Sequence, residues 1–172
     1  FDLKKLDWMN GLYIRQLPTA ELRRRSEPFL KQAGLPREHM NEIQLEAILK
    51  LEQERLKKLS ELGERLGFYF SVSDYPAERL SWKKADAAQT KERLSELVSF
   101  LNGLPEGEWS EQNLEIRIKR FIEERGSGTG ECLWPMRVAL SGLEASPGPF
   151  GIAAVLDKKE TLARLDHAIK KL

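Results

Sequence analysis

The sequence is short of the residues that most site chemistry needs. Its 172 residues include one cysteine, Cys132, and two histidines, His39 and His167. A single cysteine excludes an internal disulfide and a multi-cysteine zinc site, and it fits a reducing compartment. The histidines stand among charged residues with no partner at metal-ligand spacing, so both read as surface side chains and no metal ligand is assigned. No apolar run approaches the roughly 18–20 residues needed to span a bilayer, and no membrane partner is expected. No window alternates apolar and polar residues as a half-buried strand would. A phosphate-cradling glycine loop therefore lacks its strand-to-helix setting, and Ser127-Gly128-Thr129-Gly130 only imitates one. Carboxylates are numerous but scattered, and no acid–base pair stands out, so no catalytic residue is assigned. Excess charge is missing too: 28 Lys and Arg face 27 Asp and Glu, and any polyanion site must be a local patch.

What is present is helix after helix. Apolar residues make up 41% of the chain, enough for a packed core at this length. Leu3, Leu6, Met9 and Tyr13 share a face in a helix over 1–17 that Asn10-Gly11 bends or interrupts. Thr19 reads as the N-cap of the next helix, with Glu21 at its positive end and Pro28 kinking or splitting it near Ser26. Leu35-Pro36 opens a third, with Met40, Ile43, Ala47, Ile48 and Leu51 at helical spacing. Gly67-Phe68-Tyr69-Phe70 ends the following one and packs inwards.

Ser71–Pro76 is the clearest linker and divides the chain. The domains expected are 1–17, 18–72 and 73–172, the last two being consecutive helical subdomains of an all-α protein. In the second, Asp86 and Ser110 cap helices, Gly126 stops one, and Asp157 with Glu160 caps the last. Between them lies Gly130–Gly142, continued by Ser146-Pro147-Gly148-Pro149-Phe150. Pro135 can open a helix and Gly142 can stop it. This short, punctuated helix holds Arg137 over an apolar body of Val138, Ala139 and Leu140. The chain starts at Phe1 inside a helical pattern, which reads as a fragment of something longer.

Most of the basic clusters read as solvated faces: Arg23-Arg24-Arg25, Lys57-Lys58, Lys83-Lys84, and Arg117, Lys119 and Arg120. Trp82, Trp109 and Trp134 could stack on unpaired bases, but core packing is the commoner use of tryptophan in small helical domains. Cys132 sits among apolar neighbours and reads as core. Arg55 lies where helical periodicity falters, and Arg137 is the cation with the most fixed setting.

Two stretches carry a resemblance. Lys5-Leu6-Asp7-Trp8-Met9-Asn10-Gly11-Leu12-Tyr13-Ile14-Arg15 resembles the segment that follows the catalytic half of bacterial-type glutamyl-tRNA synthetases. Pro135-Met136-Arg137-Val138-Ala139-Leu140-Ser141-Gly142, with Pro147-Gly148 and Phe150, resembles the same family's C-terminal signature; Met136 replaces the more usual Leu or Ile. Asp74-Tyr75-Pro76 and Trp109-Ser110 also fit, so the resemblance spans essentially the whole chain. It implies the helix-cage anticodon-binding region of a class I aminoacyl-tRNA synthetase, a glutamate–tRNA ligase. The fragment itself would be inactive alone, since the ATP-using catalytic domain is not in it, and it would need no cofactor of its own.

The partners implied are the anticodon loop of glutamate tRNA and the missing N-terminal catalytic half, in a cytoplasmic monomer. Anticodon bases are unstacked, so a protein can splay them and read their Watson–Crick edges. A guanidinium suits the O2 and N3 acceptors of cytosine and repels the donor edge of guanine. By the resemblance, Arg55 reads the third anticodon base in this way and separates glutamate tRNA from glutamine tRNA. Arg137, Ser146 and Pro149 match positions that contact the other anticodon bases. A synthetase that charges both tRNAs, which Arg55 argues against, and a helical protein-interaction module without RNA binding are the alternatives.

Overall fold

The computed structural model describes residues 2–36, 40–83 and 85–172, so the readings made on His39 and Lys84 lie outside the described residues. Eight α-helices and three 3-10 turns form among the described residues, and no strand. The chain is all-α. It divides into two compact units, Phe1–Ser71 and Val72–Leu172. No described helix is long and apolar enough to cross a membrane.

The first unit contains α1 (Leu3–Arg15), α2 (Thr19–Ala33), α3 (Glu42–Gln53), a 3-10 turn at Leu59–Glu61 and α4 (Leu62–Phe70). Asp2 starts α1 by accepting hydrogen bonds from the N–H groups of Lys4 and Lys5. The helix runs unbroken through Asn10-Gly11, contrary to the expected interruption. Gly11 serves close approach instead: a Cβ there would stand 3.1 Å from the Leu56 carbonyl oxygen. The apolar face of α1 forms as the spacing predicts, and it is exposed. Leu3 is 66% exposed and Tyr13 65%, with Leu6, Trp8 and Met9 exposed beside them, and Ile14 is the buried side chain. The apolar period is real, but no described residue covers it.

Pro18 takes the N-cap of α2 in place of Thr19, and the helix passes through Pro28 without a break. The proline's missing N–H leaves only one carbonyl, that of Arg24, without its helical donor. α3 starts at Glu42, later than Leu35-Pro36 suggested, because the Asn41 side chain accepts from the Gln44 N–H at 2.8 Å and fixes the first turn there. Its buried stripe is Leu45, Ile48, Leu49 and Glu52, while Ile43 points to solvent. Gln53 ties α3 to the end of α1 by donating to the carbonyls of Ile14 at 2.8 Å and Leu17 at 2.9 Å.

The second unit contains a 3-10 turn at Ala77–Leu80, α5 (Ala87–Asn102), a 3-10 turn at Glu106–Glu108, α6 (Glu111–Glu124), α7 (Thr129–Ser141) and α8 (Pro149–Lys171). The side chains of Asp86 and Ser110 accept from Gln89 and Asn113 N–H at 2.7 and 3.3 Å and cap α5 and α6. Gly142 ends α7 in the left-handed region, φ 71°, with its N–H on the Val138 carbonyl. Pro135 does not open α7: the helix begins six residues earlier, at Thr129, and the Glu131 carboxylate accepts from the Gly128 N–H at its start. α7 packs against α5, α6 and α8, burying Cys132, Met136, Val138, Ala139 and Leu140. Burial also pushes the Cys132 thiol up in pKa, as befits a core cysteine.

α8 bends at Asp157, whose φ of 71° and ψ of 172° lie in a region that only glycine occupies freely. The Asp157 carboxylate accepts from the Glu160 N–H at 2.9 Å and so caps the second half of the helix. The two effects oppose each other. Relief of the backbone strain is of order 1–3 kcal/mol, and glycine at an N-cap loses only a few tenths against aspartate. Asp157→Gly is therefore expected to stabilise the chain by about 1 kcal/mol in urea unfolding; a lower midpoint than wild type would contradict the backbone assignment.

Candidate functional site

Beyond its first turn, where Thr129 and Glu131 reach the surface, α7 is largely buried. Gly130, Leu133, Trp134 and Arg137 are half-exposed at spacings of three and four, while Cys132, Pro135, Met136 and Val138 are buried. Three arginines from other elements are committed to this helix. Arg93 pairs with the Glu131 carboxylate at 2.8 Å and donates to Ser127 Oγ at its start. At its end, Arg79 donates to the Gly142 carbonyl at 2.9 Å and Arg164 to the Leu140 carbonyl at 2.7 Å. They supply the donors that a helix C-terminus lacks.

Arg137 is different. Its Nε is buried with no hydrogen-bond partner, as is that of Arg93, but among the described residues no carboxylate or carbonyl receives any part of the Arg137 guanidinium. A buried donor left unsatisfied costs about 1–3 kcal/mol, more when the group is charged. Such a group in a folded protein calls for an explanation, and an acceptor supplied by a ligand is one.

Ser146 and Pro149 belong to the turn that leads into α8, in the same unit as Arg137, and both are buried. The Ser146 hydroxyl donates to the Pro147 carbonyl at 3.1 Å, and Pro149 fills the first position of α8 behind its N-cap, Gly148. Their side chains are thus committed to the turn.

Arg55 belongs to the first unit and stands just beyond the end of α3, where the chain turns. Its side chain is 30% exposed and lies 4.0 Å from a Glu52 carboxylate oxygen, as does Arg65. The other Glu52 oxygen accepts from the Tyr69 hydroxyl at 3.0 Å. Glu52 is 1% exposed. Burial raises its pKa; the Tyr69 hydrogen bond and the two guanidinium groups act against that shift. This buried carboxylate anchors two arginines, and it was missed from sequence. The available signal was its place on the stripe Leu45, Ile48, Leu49, Glu52, three residues before Arg55.

The arginine-containing clusters are paired surface, and Lys58 pairs with Asp7. Arg24 and Arg25 share Glu21, and their hydrogen bonds pull that carboxyl down to about 2. Arg23 pairs with Glu27 and Glu42. Arg117, Lys119 and Arg120 pair with Glu108, Glu115 and Glu124. Trp109 and Trp134 donate to backbone carbonyls of Ala153 and Arg79, each at 2.9 Å. Among the described residues no three His, Cys, Asp or Glu side chains are grouped to hold a metal ion.

Comparison with known proteins places these features in a family. The family described as anticodon binding domain matches residues 21–169. The chain is 37% identical over 170 residues to a glutamate–tRNA ligase of Thermus thermophilus, an alignment covering 98% of the chain and 35% of that protein. It is 38% identical over 176 residues to one of Herpetosiphon aurantiacus, covering all of the chain and again 35% of the relative. The chain thus spans about a third of the length of these curated relatives. A glutamate tRNA ligase of Elizabethkingia meningosepticum, solved in complex with its amino acid, superposes with a TM-score of 0.81 at 20% identity, over 99% of this chain and 32% of that one. At that identity the likeness is one of fold.

The Glu52 site makes a pH-dependent prediction. A carboxyl whose folded pKa lies above its unfolded one adds stability at low pH and loses it as pH rises through the folded value. The stability advantage of wild type over Glu52→Gln should therefore be greatest near about pH 4, close to the unfolded value, and shrink as pH rises above it. A difference that stays constant as pH rises, measured by urea unfolding, would contradict the buried carboxylate.

Proposed function

Because the chain belongs to the anticodon-binding domain family, we propose that it recognises the anticodon loop of a glutamate tRNA. In this reading it is part of a longer glutamate–tRNA ligase, monomeric and cytoplasmic, whose remaining part carries the ATP-dependent chemistry. The observation that carries the proposal is Arg137: a guanidinium fixed on a buried helix, with a buried donor and no acceptor among the described residues. Unstacked anticodon bases carry carbonyl and ring-nitrogen acceptors on exposed edges, which is what such a group lacks.

Arg55 contributes differently. Glu52 sets its position without closing a short hydrogen bond at 4.0 Å, so its donors remain available to a base. The acceptor edge of cytosine takes those donors and the N1–H and N2–H₂ edge of guanine repels them, which separates a third anticodon base C from G. Ser146 and Pro149 shape the turn whose backbone faces a neighbouring base. The exposed Leu3, Leu6, Trp8, Met9 and Tyr13 on α1 form an apolar face of the kind that another part of a longer chain would cover.

Two variants test these roles on an anticodon stem-loop at fixed salt. Arg137→Ala should weaken binding by about 1–3 kcal/mol; unchanged affinity would refute the assignment. Arg55→Gln should bind stem-loops ending the anticodon in C or G with more nearly equal affinity than wild type does. Discrimination that survives the substitution intact would remove Arg55 from the reading, and an absence of RNA binding by wild type would favour a protein-interaction module.

A further inference from the structure

The half-exposed stripe of α7 continues, on the N-terminal side of Arg137, into a feature that anticodon recognition by arginines does not use. Trp82 lies against it. Its indole sits so close to Gly130 that a Cβ at that residue would stand 2.6 Å from the Nε1 and Cε2 atoms of the ring. Trp134, one turn along from Gly130, meets the same indole at 5.2 Å between ring centroids, tilted by 47°. Glycine and the second tryptophan thus form a shelf that holds Trp82 in one orientation. Gly130, Trp134 and Arg137 follow at four- and three-residue steps, so the shelf and the free guanidinium share one strip of surface.

Two further observations separate Trp82 from a tryptophan kept for packing, although its side chain is half-buried like those of Trp109 and Trp134. The indoles of Trp109 and Trp134 donate to backbone carbonyls, whereas Trp82 Nε1 has no acceptor among the described residues. A tryptophan retained for structure usually finds one. The ring also carries a cation: Lys83, exposed and held at a φ of 53°, brings its Nζ to 5.2 Å from the Trp82 centroid. A half-exposed indole, a spare N–H and an exposed ammonium that can leave the ring for a phosphate are, at one spot, elements with which proteins hold an unpaired nucleotide.

We infer that Trp82 is a stacking platform for one unstacked base of the bound RNA, next to the base that Arg137 contacts, with Lys83 taking the adjoining phosphate. The inference rests on the anticodon-binding reading of the same surface. Stacking exploits the π-face that every base possesses, so this subsite adds affinity without distinguishing between bases. Arg137 and Arg55 would carry the sequence information, and Trp82 would fix the loop in register for them. Lys83 adds an electrostatic contact that weakens as salt rises.

The test uses the full chain labelled with 5-fluorotryptophan, its ¹⁹F signals assigned through single Trp→Phe variants. On titration with a glutamate-tRNA anticodon stem-loop, the Trp82 signal should shift along the same binding curve that a filter assay gives, while the Trp109 signal stays in place. Trp82→Ala should weaken binding about 5- to 150-fold, Trp82→Phe should retain most of the affinity, and the loss should be the same whichever base occupies the stacked position. Gly130→Ala, which displaces the indole without deleting it, should also weaken binding. A Trp82 signal that does not move, in a chain whose affinity still depends on Arg137, would overturn the platform and leave the anticodon reading intact. Loss of affinity in neither Arg137→Ala nor Trp82→Ala would overturn both. The signal shift needs no substitution at Trp82 in the chain being titrated, so it decides the matter even where a variant fails to fold.

Discussion

The second unit depends on the burial of α7. Met136, Val138 and Leu140 are fully enclosed, each a contribution of about 1.5–3 kcal/mol relative to exposure. The C-terminal end of α7, buried at Ser141 and Gly142, must have its carbonyls satisfied by protein, since water reaches them poorly. Arg79 and Arg164 meet that demand through hydrogen bonds to the carbonyls of Gly142 and Leu140, and Glu131 accepts from the Gly128 N–H at the exposed start. The same enclosure fixes the one strip that is not covered. Arg137 is therefore presented by a rigid body, and its geometry does not need to be assembled when a ligand arrives.

Charge matching is the second constraint, and it makes the exceptions informative. In a chain with almost equal numbers of cations and anions, most arginines meet a carboxylate three or four residues away or on a neighbouring helix. Exposed pairs of this kind contribute little stability, typically 0.2–1 kcal/mol, but they neutralise the general surface. What is left over defines where a polyanion can bind. Arg137 is left over completely. Arg55 is held at arm's length by a carboxylate that burial disfavours in its charged form, an arrangement that positions the guanidinium while spending few of its donors.

Features written in adjacent residues were legible in the sequence. Asp86, Ser110 and Asp157 cap helices, and Gly142 ends one, because a cap depends on two to four neighbouring residues and little else. The all-α architecture followed from apolar period in the same way. Features that depend on distant partners were not legible. The apolar face of α1 was legible as a face but its exposure was not, since a period shows that a face is apolar and not what covers it. Pro135 looked like a helix start because prolines favour that position, but the Glu131–Gly128 contact and burial against α5 and α8 carry the helix back to Thr129. Glu52 read as one more surface glutamate, and its role exists only because Tyr69 and Arg65 come to it from α4. Arg55 and Arg137 were legible as residues of interest, whereas Arg79 and Arg164 show their role only through the carbonyls they meet.

The most direct measurement is the ¹⁵Nε–¹Hε spectrum of the arginines, recorded with and without the anticodon stem-loop. The account predicts that the Arg137 Nε–H signal shifts on binding as acceptors reach the exposed part of its guanidinium, while the buried Arg164 signal is unchanged. An Arg137 signal that stays in place when RNA binds would contradict it.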